Sequence, residues 1–329
     1  MNNPLKRRRA PVAALATLAA LIALAACSSS PASSAGAPSA SAATSGQAGQ
    51  GAFPLTINAA GGSVTISAQP QRIVSLSPTA TEDLYADGAG AQVVAVDESS
   101  DYPAGVPKTS LNGTDPNLEA IAKYDPSLII TDENANGLVA GAKKLGVPVL
   151  VEPAAATLPA AYAEIEQIGQ ATGHAAKATA VVAGMEAQIG TDLKKAGTTH
   201  SDLSYFWEVS ASPYYSATSG TIFGQIVGMF GLKNIADKVA TAADGGYPEL
   251  TEEYIVSSKP QIIFLTDNDP ADGGQTPAIV AARPGWAGLP AVKNHEIIAL
   301  NDDIAARWGP RLPQLVAAVA AAVESASKS

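Results

Sequence analysis

Glu119 and Glu253 occupy matching places in two copies of one short sequence unit. The first copy reads Pro116-Asn117-Leu118-Glu119, reaches Pro126 seven residues later, and runs through Leu128-Ile129-Ile130 to Thr131-Asp132. The second reads Pro248-Glu249-Leu250, then Glu253, reaches Pro260 seven residues later, and runs through Ile262-Ile263-Phe264-Leu265 to Thr266-Asp267. Two carboxylates carried on separate units suit recognition by arginine, whose planar fork grips a carboxylate through two parallel hydrogen bonds. On spacing alone, an ordinary solvated helix position is the better account of each glutamate.

Other chemistries lack their parts. Cys27 is the single cysteine, so the chain downstream of it has no disulfide, no thiolate metal site and no cysteine nucleophile. The three histidines, His174, His200 and His295, fall at an expected helix start, a loop and an expected strand start. None joins the cluster of imidazoles and carboxylates that a metal carrier needs, and each reads as solvent-exposed. An α/β hydrolase would show a G-x-S-x-G elbow, and a nucleotide-binding protein a G-x-x-x-x-G-K-[ST] loop; neither string occurs. The residues therefore point to a binding protein, not an enzyme, with no metal and no cofactor of its own.

Each repeated unit reads as a short helix, a proline-marked stop and a buried strand. One unit in each half of the chain predicts two similar α/β lobes, with the ligand in the cleft between them. Residues 53–67 alternate around Gly61-Gly62 and predict an edge hairpin. Arg72-Ile73-Val74-Ser75-Leu76 predicts a strand, and Ser77 or Thr79 with Glu82 predicts the start of a helix that ends near Gly88 or Gly90. Strands over 93–96, 128–130 and 147–151 complete a first lobe of β-α-β type with a mostly parallel sheet. From 175 to 195 the apolar residues Ala178, Val181, Val182, Met185, Ile189 and Leu193 share one helical face. That helix is roughly 30 Å long and reaches from one lobe to the other. The second lobe opens with a strand at 203–209 and a helix that follows Ser219-Gly220-Thr221 and ends near Gly231. It closes with a strand at 297–300 and a helix at 310–326.

The N-terminal stretch predicts export. Lys6, Arg7, Arg8 and Arg9 precede an apolar run over 10–26 that ends in Leu24-Ala25-Ala26-Cys27. This run is somewhat short of the about 20 residues that cross a bilayer. Residues 28–52 carry no charge and no periodicity and read as a flexible tether. The remaining roughly 275 residues exceed one ordinary core and suit two lobes. With 20 basic and 30 acidic residues the formal charge is −10; losing the four leader cations leaves 16 against 30, or −14. Such a chain is a poor partner for nucleic acid.

Four stretches now align with a known family. Arg72 through Glu82, Asp101-Tyr102-Pro103, Asn117-Leu118-Glu119 and Arg307-Trp308-Gly309-Pro310-Arg311 occur in that order. The chain resembles the substrate-binding proteins of ABC importers for cobalamin, ferric siderophores and haem, and is most similar to the cobalamin-binding branch, over nearly everything from Arg72 onward. The tetrad ending at Cys27 resembles the bacterial lipobox. The resemblance implies a signal peptide over 1–26, a lipidated (palmitate-type) Cys27 with its linker over 27–52, and attachment to the outer face of the cell membrane. It also implies two Rossmann-like lobes, 53–156 and 199–329, joined by a single long rigid helix that matches 175–195, within a helical segment over 157–198. One acidic residue per lobe docks on arginines of the permease in this family, and those positions match Glu119 and Glu253. The cobalamin branch lines its cleft with aromatics from both lobes plus an Asp and an Arg; Tyr102, Tyr215, Tyr247, Asp303 and Arg307 match. Flat aromatic faces suit a planar macrocycle, with the phenol meeting its amide rim; otherwise each tyrosine is an edge aromatic and Asp303 with Arg307 a plain i, i+4 ion pair. A haem would take Tyr102 or Tyr215 as an axial ligand. Gly113 stands where the cobalamin pattern has another aromatic, which implies a wider pocket or a different ligand. The expected protein is a monomer that captures a corrinoid, ferric siderophore or haem and delivers it to a permease.

Overall fold

The computed structural model describes residues 53–268 and 273–328. The leader, Cys27 and the tether lie outside the described residues. Chain order begins with strands β1 (Leu55–Ala59) and β2 (Gly62–Ile66), an antiparallel hairpin paired Leu55 to Ile66. Ile57 and Ile66 turn inward and fix the hairpin to the first lobe's apolar cluster.

That lobe is a four-stranded parallel sheet made of β3 (Ile73–Ser75), β4 (Val93–Val96), β5 (Leu128–Thr131) and β6 (Val149–Val151), in spatial order β4-β3-β5-β6. Helices α1 (Pro78–Ala86), α2 (Leu118–Ala122) and α3 (Leu138–Lys144) connect them. β3, β5 and β6 are buried throughout, which is why their sequences are unbroken apolar runs instead of alternating ones. The Ser77 hydroxyl caps α1 by accepting the Ala80 N–H at 3.4 Å, with Pro78 at the first helical position.

Two helices then cross between the lobes: α4 (Leu158–Thr172) and α5 (Ala175–Ala196). α4 begins at a Thr157 cap and ends at Gly173, whose φ of 82° breaks the helix. Along α4, Ile165 packs into the second lobe's cluster while Ile168 and Ala171 pack into the first's. α5 returns beside it, burying Ala178, Val182, Met185, Ile189 and Ala196 in the second lobe. The crossing is thus shared by a helical hairpin, not carried by the 175–195 helix alone, because Gly173 turns the chain back. A Cβ on Gly169 would collide with that of Ala178, so glycine lets the two helices close up.

The second lobe holds β7 (Ser204–Ala211), β8 (Tyr214–Ser216), β9 (Lys233–Asn234), β10 (Glu249–Leu250), β11 (Ile262–Leu265) and β12 (Ile297–Ala299). Their order is β10-β8-β7-β11-β12, with β9 also on β7; β7, β9, β11 and β12 run parallel and β8 folds back antiparallel. Six helices accompany them: α6 (Ile222–Gly228), α7 (Glu252–Ser258), α8 (Pro277–Ala281), α9 (Pro290–Lys293), α10 (Asp302–Ala306) and α11 (Leu312–Ala326). Trp207, Phe223 and Phe264 stack at its centre, against α11.

The repeated unit recurs in three dimensions. The side chains of Asn117 and Thr251 cap α2 and α7, accepting from Ala120 N–H and Tyr254 N–H at 3.1 and 3.2 Å. Glu119 and Glu253 each sit second in the helix, and Ile121 and Ile255 are each fully buried. Both chains leave the helix through a left-handed residue before the proline, Asp125 at φ 46° and Lys259 at φ 50°. β5 and β11 then start two residues past Pro126 and Pro260, and each takes a place inside its own sheet.

Candidate functional site

In the first sheet the chain steps from β3 to β4 on one side and then crosses back to β5 on the other side of β3. Ligand crevices form at such switch points, beyond the carboxyl ends of the strands. Here Leu76, Asp97 and Asp132 follow β3, β4 and β5 and line a cavity of about 250 Å³ with Ser99 and Gly113. In the second sheet Ala211, Thr266 and Asp267 stand at the ends of β7 and β11 and line a cavity of about 390 Å³ with Asp302. A third cavity, about 450 Å³, lies between residues 154–156 beyond β6 and Thr221, Tyr247 and Trp308 of the second lobe. Asp302 of α10 lines the second cavity and Trp308, in the turn that follows, the third, while Arg307 in the same turn bonds the carbonyl of Ser99 on the first.

That turn is an ionic seam. Arg307 donates through Nη1 to Asp101 Oδ1 at 2.5 Å, and through Nη2 to the Ser99 carbonyl at 3.1 Å and to Asp303 Oδ1 at 2.6 Å. Glu82 Oε1 lies 3.5 Å from the same guanidinium. Arg311 grips Glu82 at two points, Nε to Oε2 at 2.7 Å and Nη2 to Oε1. Its guanidinium also covers the Tyr102 ring, 4.1 Å from the centroid. Glu82 and Asp101 belong to the first lobe and both arginines to the second, so the lobes meet through these groups. The hydrogen bond from Arg307 holds the Asp101 carboxyl below its ordinary range.

Three of the sequence-predicted residues, Tyr102, Asp303 and Arg307, come together here. Tyr247 lies farther along, 36% exposed on the third cavity, which Trp308 also lines. Tyr215 is 39% exposed on β8, opposite Glu249 and on the strand face away from Tyr214; it is not among the residues lining these three cavities. Sequence reasoning missed Glu82, which it assigned to the α1 terminus. Glu82 lies one turn too far along to cap α1, and its side chain is only 2% exposed because Arg311 takes it. Arg311 was visible as the second arginine of the Arg307–Arg311 motif, yet its partner, 229 residues away, was not. At Gly113 a Cβ would collide with the Leu76 carbonyl oxygen, so the close backbone approach demands glycine where the cobalamin pattern has an aromatic.

Burial raises the carboxyls at the strand ends. Asp97 and Asp132 are pushed up, and Asp267 is pushed up to about 7 by burial with Glu208 beside it. Glu208 itself is fully buried and paired bidentately with Arg283 at 2.6 and 2.7 Å, whose guanidinium rests on Trp286. Glu119 and Glu253 are exposed, away from the seam's ion pairs. Of the histidines only His295 is exposed; His174 and His200 are half-buried, His200 bonded to the Ala196 carbonyl and Ser327, which corrects the solvated reading. Among the described residues no group of three or more His, Cys, Asp or Glu could hold a metal ion.

Comparison with known proteins agrees with this architecture. Residues 73–304 match the family described as periplasmic binding protein. YvrC of Bacillus subtilis (strain 168), named an uncharacterized ABC transporter substrate-binding lipoprotein, is 34% identical over 269 residues, covering 79% of this chain and 82% of its own. The crystal structure of the vitamin B12 binding protein BtuF of Vibrio cholerae superposes with a TM-score of 0.64 at 27% identity, over 79% of this chain and 99% of that one. The apo form of RhuT, a periplasmic heme-binding protein from Roseiflexus sp. RS-1, gives 0.66 at 25% identity, over 78% and 99%. The chain belongs to the periplasmic binding protein family: it is a substrate-binding protein of ABC importers, working outside the cytoplasm in transport and not as an enzyme.

Proposed function

We propose that this protein captures a corrinoid in the cleft between its lobes and delivers it to an ABC importer permease. The observation that carries the reading is the seam itself, where Arg307, paired with Asp303 four residues earlier, reaches across to the Asp101-Tyr102 turn. These are the positions the cobalamin pattern uses, and they meet at the strand ends of both lobes. Tyr102, Tyr215 and Tyr247 supply the aromatic faces for a planar macrocycle, and Asp303 and Arg307 its polar contacts. Glu119 and Glu253, one per lobe at the same helical position, dock on permease arginines. The lobes are taken as 53–156 and 199–329 with the crossing at 157–198, and the protein as a monomer anchored to the membrane through a lipidated Cys27.

A haem is the second reading, favoured by the 43% exposed Tyr102, whose phenol can ligate iron. The purified protein, incubated in turn with cobalamin, haem and a ferric siderophore and then desalted, decides by its visible spectrum. Corrinoid bands retained at one equivalent support the proposal; retained haem or siderophore bands, with no corrinoid, replace it.

A further inference from the structure

We propose that the cleft sorts its ligands by charge, admitting neutral or cationic macrocycles and excluding those that bear carboxylates. This rests on the cleft being the ligand site, and it specifies which members of the ligand class that site takes.

The cations at the seam are already paired with carboxylates. Arg307 places one arm on Asp101 and the other on Asp303 and the Ser99 carbonyl, while Arg311 gives two donors to Glu82 and its face to Tyr102. Glu82, Asp101 and Asp303 already pair the charge of both guanidinium groups, so a ligand carboxylate either adds a further negative charge to the seam or displaces one of them. Such an exchange gains nothing in kind and leaves the displaced side chain unpaired beside a like charge. The seam's three carboxylates, Glu82, Asp101 and Asp303, outnumber its two arginines.

The neighbouring walls add no compensating cation. The first-lobe cavity is lined by Asp97, Glu98 and Asp132 and the second-lobe cavity by Asp267 and Asp302, with no lysine or arginine on either. The third has no charged side chain at all. Behind the second-lobe cavity Arg283 is held by the buried Glu208, and at the mouth Lys108 adds one exposed ammonium near Asp101. Asp132 and Asp267 each keep one buried carboxyl oxygen without a hydrogen-bond partner. Amide N–H groups can satisfy those oxygens and anionic oxygens cannot. A low-dielectric cleft whose ionised side chains are carboxylates focuses that field on whatever enters, the more so above about pH 7, where Asp267 is ionised too.

The test titrates the full exported chain with cyanocobalamin, its mono- and tricarboxylate hydrolysis products, haem and haem dimethyl ester, at low and high salt. Each carboxylate added to the corrinoid is expected to weaken binding at least 10-fold in dilute buffer, the dimethyl ester to outbind haem, and both gaps to narrow with salt. D101N and D303N should each move the affinity ratio at least 10-fold toward the carboxylate forms; D101N, on a half-exposed side chain, serves if D303N fails to fold. Carboxylate forms that bind as tightly as the neutral ones, or a ratio unmoved by both variants, overturn the charge rule while the cleft reading stands. If no macrocycle of either kind binds, the cleft reading falls and the charge rule with it.

Discussion

Arg311 and Glu82 form a two-point ion pair across the lobes, with the carboxylate 2% and the guanidinium 12% exposed. Removing one partner of a buried pair leaves the other charge uncompensated, at a cost of about 3–5 kcal/mol. With Arg307 still 3.5 Å from Glu82 Oε1, Arg311→Ala is expected to lower the urea unfolding free energy by the lower end of that range, and Glu82→Gln by less, since an amide still accepts one of the two bonds. Equal stability of Arg311→Ala and wild type would mean that the lobes do not depend on this tie.

The tyrosines make separate claims on the ligand. Tyr102→Ala, Tyr215→Ala and Tyr247→Ala are each expected to weaken binding by about 1–3 kcal/mol, the usual loss on truncating a buried interface aromatic. Equilibrium titration measures it. Tyr247 is the most direct case because it already lines a cavity. Wild-type titrations for both second-lobe variants would dismiss the aromatic assignment.

Delivery should fail without affecting capture. Exposed carboxylates contribute little to a fold, so Glu119→Ala with Glu253→Ala should leave the melting temperature and ligand affinity almost unchanged. Uptake by a reconstituted importer should drop in each single variant and further in the double one, since the contacts sit on separate lobes. Normal uptake by the double variant sinks the docking proposal.

Four buried carboxyls beneath α1 and α4 give the protein a pH dependence of definite sign. Burial, with Glu164 and Asp87 beside it, raises Asp83 well above its ordinary value; burial pushes Asp87 and Glu164 up to about 8 and Glu152 up to about 7. Lys177 opposes this only at Asp87. Unfolded carboxyls titrate near about 4, so between there and about 8 the folded state holds more protons than the unfolded one. The stability these groups confer is complete below the lower value and is lost as pH rises through the upper one. Glu164→Gln removes one such proton and should flatten the decline by up to about 1.4 kcal/mol per pH unit. Urea midpoints at several pH values test this, and parallel curves for variant and wild type would refute it.

Closure on ligand should be small. The α4 and α5 helices lie side by side, and helices offer few residues that absorb the dihedral changes of a hinge. Scattering curves with and without ligand are expected to agree within about 1 Å in radius of gyration, against about 19 Å for a body of this size.

Much of this was legible in the sequence, for reasons the repeat makes plain. Local signals carried it: a capping side chain, an apolar residue on the buried face, a proline stop and a strand of branched residues. These fixed α2–β5 and α7–β11 because each depends on neighbours only a few positions away. The α4–α5 turn escaped because the crossing was read from the apolar face of the 175–195 helix alone, whereas Ile165 and Ile168 divide α4 between two clusters. Glu82 escaped for the opposite reason. A carboxylate early in a helix satisfies local rules perfectly well, and nothing nearby announces a guanidinium arriving from the far end of the chain. Tyr102, Asp303 and Arg307 were found through likeness to a family, and their meeting at one seam is a fact of tertiary packing.

The Glu82–Arg311 tie spans 229 residues, so it also sets an order of events. A chain emerging from an export channel presents the first lobe long before α11, and domains generally fold as they appear. Until residues 307–311 arrive, Glu82 lacks both of its arginines and the two sheets are joined only by the α4–α5 hairpin. Chains truncated before residue 311 are therefore expected to build a folded first half without a working cleft, which leaves the ability to bind dependent on the end of synthesis.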